Sequence, residues 1–256
     1  MDSSFLYIFL GLFVGTLGTL IGAGGGFILM PIFFFLFPHS TTDYLTAISL
    51  AVVFFNSASG SIAYAIDRQI DYRPGIIFSL AAFPGAIIGA IASQYLSRSF
   101  FDPLFGTLLF LMAVYLFWKP ERKLEPTSKD KYNLKLGAAL STGVGLVSSL
   151  LGIGGGIVHV PILVHLLRFP VHRATATSHF ILAILSFTAV LTHYIQGSYD
   201  ANALQLCFYL IPGAILGAQF GAKLSKRVHG KIIIRALAIA LASVGIRLLV
   251  KALSFQ

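Results

Sequence analysis

The chain has 256 residues, of which 57% are hydrophobic and 11% charged, and its mean hydropathy is +0.86. Soluble domains carry about 25% charged residues, so composition excludes a water-soluble globule and leaves a polytopic membrane protein. The single cysteine, Cys207, allows no intrachain disulfide and no Cys-x-x-Cys site, and the net charge of +9 fits basic loops on a membrane protein better than a nucleic-acid surface.

The N-terminus carries Asp2, has no basic n-region and leads directly into a long apolar stretch, so it does not read as a secretory signal. Eight apolar segments follow, near 5–37, 44–66, 75–97, 101–118, 134–168, 174–195, 201–223 and 231–253. A membrane-spanning helix needs about 20 residues. The first and fifth segments exceed that, and each contains a glycine cluster, GAGGG at 22–26 and GIGGG at 152–156. Glycine in a helix interior costs about 1 kcal/mol relative to alanine, so each segment is expected to break into two pieces, 5–21 with 27–37 and 134–151 with 157–168. The result is an all-α membrane protein of up to ten helices. The polar stretch 119–133 divides a first repeat (1–118) from a second (134–256).

The two halves are duplicates. The glycine clusters match at an offset of 130, each followed by four residues and a proline, Pro31 or Pro161. PGAIIGA at 84–90 and PGAILGA at 212–218 match at an offset of 128. The distribution of Lys and Arg bears on their relative orientation. If all eight segments cross once, the basic residues divide 10 to 8. If each glycine-broken segment has both ends on one side, they divide 15 to 3, with only Arg98, Arg247 and Lys251 in the minority. Each half then crosses an odd number of times. The expected fold is therefore two inverted repeats, each with a broken first helix and three further spans, with extracytoplasmic termini and a cytoplasmic 119–133 loop.

Broken helices at corresponding places in two inverted halves point to a transporter binding site. The second piece of each broken helix starts near Gly24, Gly25 and Gly26, or Gly154, Gly155 and Gly156. Its first N–H groups lack helical partners and, with the helix dipole, favour an anion. The stripes Gly11/Gly15/Gly18/Gly22, Gly85/Gly89 and Gly213/Gly217/Gly221 read instead as close helix packing. No acidic residue lies deep in a span, unlike the usual pattern of cation and proton carriers. Ser49, Asn56, Thr177 and Ser178 are candidate donors to an anion, although Ser and Thr in membrane helices also bond their own i−4 carbonyl. Ser49 and Ser178 correspond at an offset of 129. His159 and His179 can pair with an anion or carry a coupled proton. Their first-half counterparts are Leu29 and Leu50. No metal set, cofactor motif or nucleotide-binding motif is present.

The duplicated Gly-x-Gly-Gly-Gly-x(4)-Pro motif, Ala176-Thr177-Ser178 and the paired PGAxxGA segments resemble the TauE/SafE-type sulfite exporter family. The resemblance implies a bacterial-type permease of the cell's inner membrane for sulfite, organosulfonates or related small anions. The expected function is a secondary transporter with a midplane site between the helix breaks. The expected partners are a small anion, the bilayer and protons as the candidate coupling ion. A passive anion channel of the same fold is the alternative. An intramembrane serine hydrolase built on Ser57 with His179 or His193 is disfavoured, because no Gly-x-Ser-x-Gly elbow surrounds Ser57.

Overall fold

A computed structural model describes residues 3–118 and 132–254, and among these it is entirely helical. The helices are α1 (Ser3–Ile21), α2 (Gly26–Leu36), α3 (Thr42–Ile66), α4 (Tyr72–Ala92), α5 (Arg98–Trp118), α6 (Leu134–Leu150), α7 (Gly156–Pro161), α8 (Val171–Ile195), α9 (Ala201–Ser225) and α10 (Gly230–Ser254). The expected linker at 119–133 lies outside the described residues except for Tyr132 and Asn133.

Both long segments break where the glycines are. Gly25 and Gly155 precede α2 and α7 in the left-handed region, with φ of 81° and 92°, a conformation only glycine adopts readily. After Pro161, whose ring supplies no N–H, α7 continues as a π-helical turn over Ile162–Leu166. Three other helix starts, those of α3, α6 and α9, are capped by side chains. Thr41 accepts from the N–H of Tyr44, Asn133 from Leu136 and Asp200 from Ala203.

Six helices, α3, α4, α5, α8, α9 and α10, are long and apolar enough to cross a membrane, whereas the four pieces of the broken segments are shorter. Helix α1 packs along α9, α4 along α6, α5 along α10, and α3 along both α8 and α9, with α4 also against α8. Exchanging α1–α5 for α6–α10 maps this pairing onto itself. The glycine stripes make the close contacts. Gly11 and Gly15 lie on the backbone of Leu210 and Ala214, Gly213 and Gly217 on Ile8 and Leu12, and Gly85 and Gly89 on Thr142 and Leu146. Gly22 departs from the expected stripe. It has φ of 82° and faces Thr175, so it belongs to the break.

Contacts at the helix ends define two opposite faces. On one, Arg98 donates to the backbone carbonyls of Phe34, Phe37 and Pro38. There Asp43 also accepts from Ser93 and pairs with His193 at 3.1 Å. On the other, Arg173 pairs with Asp71 at 2.7 Å and Lys226 with Asp67 at 2.5 Å, and Tyr132 stacks on Phe169. Helix α1 runs parallel to α9 from the first face, Ile8 lying on Gly213 and Thr16 on Gly221. Helix α2 returns to that same face, where Phe34 meets Arg98. Helix α6 runs parallel to α4 from the second face, and the chain returns there at Phe169. Each glycine-broken segment is thus a hairpin with both ends on one face.

Candidate substrate site at two crossed helix breaks

The two hairpins enter from opposite faces and cross. Gly26 lies against the carbonyl of Gly152 and the Cα of Ile153, and Gly156 lies reciprocally against the carbonyl of Gly22 and the Cα of Ala23. A Cβ at either position would strike backbone that cannot move aside, so the crossing depends on glycine there. Val53 of α3 contacts both Gly24 and Gly154, and Leu182 of α8, its counterpart at offset 129, does the same. Residues 21–27 and 151–157 are buried throughout, so the crossing is shut off from both faces.

Side chains brace the crossing between halves. Ser49 Oγ donates to the Gly152 carbonyl at 2.6 Å, and its counterpart Ser178 Oγ donates to the Gly22 carbonyl at 3.0 Å. Neither uses its own i−4 carbonyl. Within the first break, Ala23 and Gly24 donate to the Gly18 carbonyl, and Ile28 and Leu29 to the Gly25 carbonyl. The N–H groups of Gly25, Gly26 and Phe27 have no backbone acceptor among the described residues. The second break differs by one bond: Ile153 donates to Ser148, and Val158 and His159 to Gly155, leaving the N–H groups of Gly154, Gly155, Gly156 and Ile157 without a backbone acceptor among the described residues. Each set of donors lies at a buried helix start next to the crossing. That arrangement suits an anion of small radius.

The sequence model of the sulfite exporter TauE/SafE family matches residues 7–248. The chain belongs to that family. It is 32% identical to the probable membrane transporter protein YunE of Bacillus subtilis, covering 95% of this chain and 96% of YunE. It is 28% identical to a probable membrane transporter protein of Methanocaldococcus jannaschii, covering 93% of this chain and 91% of that one. No solved structure matches it. The TauE/SafE membership makes this chain one of a family of membrane transporters, not of enzymes. The six long apolar helices among the described residues agree with a multi-pass membrane protein.

Within this TauE/SafE chain the remaining sequence candidates separate. Asn56 is at the crossing: its Nδ2 donates to the Gly24 carbonyl at 3.2 Å and its Oδ1 accepts from Thr19 Oγ1 at 3.1 Å. His179 joins the same chain, with Nε2 3.1 Å from Thr19 Oγ1. Gly60 leaves room for that ring, and Tyr64 meets it edge-on. Thr177 is elsewhere, its hydroxyl accepting from the N–H of Asp71 at the start of α4. His159 is buried on α7 and pairs with Ser141 at 3.2 Å. His193 is bound to Asp43 and His179 to Thr19, so neither histidine is engaged with Ser57.

Sequence reasoning missed Thr19, Val53 and Leu182. Thr19 links His179 to Asn56 and also offers its carbonyl to Tyr64 Oη at 2.9 Å. The only sequence hint was a hydroxyl three residues before the first glycine cluster. Val53 and Leu182 are ordinary span residues whose importance arises only from the crossing.

Proposed function

We propose that this protein is a secondary carrier of a small anion, with sulfite, an organosulfonate or a related sulfur oxyanion as substrate, bound where the two helix breaks cross. The observation that carries this reading is the meeting of two helix starts, each with N–H groups lacking a backbone acceptor, at a buried crossing whose neighbours are apolar or hydroxyl-bearing apart from the Asn56 amide. The family's name, sulfite exporter, points to the same substrate class.

The carrier works by alternating access, one repeat moving against the other around the crossing. Three features support inverted repeats. The matching helices α3 and α8 run antiparallel, with Asp43 near His193 and Gly60 near His179. Helices α5 and α10 also run antiparallel, with Gly106 near Leu248 and Phe110 near Gly245. The serine contacts to the glycine breaks are reciprocal. The face bearing Arg98 and Arg247 is extracytoplasmic. The face bearing Arg68, Arg73, Lys135, Arg168, Arg173 and Lys226 is cytoplasmic, as the positive-inside rule requires. At a negative-inside potential, outward movement of a monovalent anion is favoured by about 2.3 kcal/mol per 100 mV, so export needs no coupled ion while accumulation does.

The test is radiolabelled sulfite uptake by the purified protein in liposomes, set against taurine, sulfoacetate, sulfate and a neutral solute. Saturable sulfite or sulfonate flux that accelerates with unlabelled anion on the far side supports a carrier. Flux without such counterflow supports a channel, and no anion flux from inserted protein removes the anion reading.

A further inference from the structure

We propose that His179 is the proton site of the carrier and that its proton travels with the anion held at the first helix break. The inference rests on the anion-carrier reading and adds the coupling ion and the group that binds it.

Hydrogen-bond direction fixes which atom titrates. A backbone carbonyl only accepts, so the amide of Asn56 must face Gly24 with its NH2 group, leaving Oδ1 to receive. The Thr19 hydroxyl fills that acceptor and thereby uses its one hydrogen. Thr19 Oγ1 can then only receive from His179, so Nε2 carries the hydrogen and Nδ1 the lone pair of the neutral ring. A proton arriving at Nδ1 disturbs none of these bonds. Nδ1 is buried and has no hydrogen-bond partner among the described residues, so it is free to receive it. The ring is connected to the first break at Gly24 through Thr19 and Asn56.

The chain also gives the proton a means of acting on the anion. The Gly24 carbonyl and the Gly25 N–H belong to one peptide group. Charge on the imidazole strengthens each donation along the chain, and a stronger bond to the carbonyl polarises the N–H on the other side of that peptide. Gly25 N–H, next to Gly18 of α1 and one residue before the crossing glycine Gly26, has no backbone acceptor among the described residues. Proton on His179 and anion at Gly25 therefore favour each other.

Among the described residues no ion pair or charged hydrogen-bond partner of the ring is seen: Thr19 from α1 bonds it and Tyr64 from α3 meets it edge-on, with Gly60 alongside. Near the ends of the adjoining helices, Asp67 is paired with Lys226 and Asp71 with Arg173, on the cytoplasmic face. His159 of α7 is bound to Ser141. A buried charge without a partner is strongly disfavoured, so the imidazolium forms when the anion is present. At the second break the places of His179 and Asn56 are taken by Leu50 of the first half and Leu185 of the second, so the chain has one such site, and one proton moves with each anion.

The experiment uses the full chain in liposomes containing a pH-reporting dye, with methanesulfonate as the probe anion. As the anion of a strong acid it does not titrate between about pH 5 and 8, the range in which histidine changes charge. For the wild type, release of an anion gradient should move one proton per anion in the same direction, and an imposed pH gradient should drive anion accumulation. His179→Gln keeps an amide that can donate to Thr19 but cannot bind the proton. It should slow counterflow, bring the proton-to-anion ratio to zero and abolish pH-driven accumulation. Thr19→Val, which cuts the link and leaves the ring, should lower the ratio below one. Anion counterflow by the wild type without proton movement overturns the inference alone, as does an unchanged ratio in His179→Gln. Absence of saturable counterflow for any anion in the wild type overturns the carrier reading and this inference with it.

Discussion

The two helix breaks have the same backbone and different support. In the first, Asn56, Thr19 and His179 form a buried polar chain that ends on the Gly24 carbonyl. In the second, the corresponding residues are Leu185, Ser149 and Leu50, and the buried histidine, His159, sits on the other side of the break against Ser141. The shared part is the set of left-handed glycines, the two serine contacts and the Val53/Leu182 pair at the crossing. Duplication thus keeps the features that build an anion site in both halves. Divergence gives one half a titratable group wired to that site.

The largest expected effect breaks the shared part. Gly25→Leu and Gly155→Leu place a side chain at φ of 81° and 92°. That costs about 1–2 kcal/mol in backbone strain alone, before contact with Val14 or Ser148. Either change should abolish flux while insertion into the membrane persists. Normal flux in both would remove the crossing as the site.

The next effect sharpens the asymmetry. Asn56→Leu makes the first half like the second and leaves the Gly24 carbonyl and Thr19 hydroxyl without their partner. At about 1–3 kcal/mol for a buried group left unsatisfied, sulfite flux should fall about tenfold or more. Leu185→Met, at the matching place, conserves volume and should cost less than about 1.5 kcal/mol in stability, with little change in flux. Similar losses in the two variants would show that the halves do not differ as described.

A smaller pair tests equivalence. Ser49→Ala and Ser178→Ala each remove one hydrogen bond between halves, worth about 1 kcal/mol, so each should weaken sulfite affinity about fivefold and to the same extent. The smallest effect is expected for His159→Leu, which installs the first half's Leu29. It should change flux by less than about threefold, since only the bond to Ser141 is lost.

Much of this architecture was legible in the chain because the signals are coarse. A segment longer than a span with three adjacent glycines must break, and hairpins were the arrangement that concentrated the basic residues on one side. The helices follow the apolar segments to within a few residues, for example 75–97 against Tyr72–Ala92. The site was less legible because direction within a helix is not. Thr177, Ser178 and His179 are consecutive, and successive residues of a helix point about 100° apart. They reach the start of α4, the Gly22 carbonyl and Thr19 respectively. Ser49 and Ser178, candidate donors to an anion, each reach the opposite half's backbone. Thr19 had no pattern to mark it, since its partners lie 37 and 160 residues away.

The most direct test of the crossing as an anion site is equilibrium binding of radiolabelled sulfite to the purified protein, comparing wild type with Gly25→Leu and Gly155→Leu. One anion should bind per wild-type chain, and either substitution alone should eliminate that binding, because both breaks contribute donors to one place. Wild-type affinity and stoichiometry in either folded variant would contradict a site shared by the two halves.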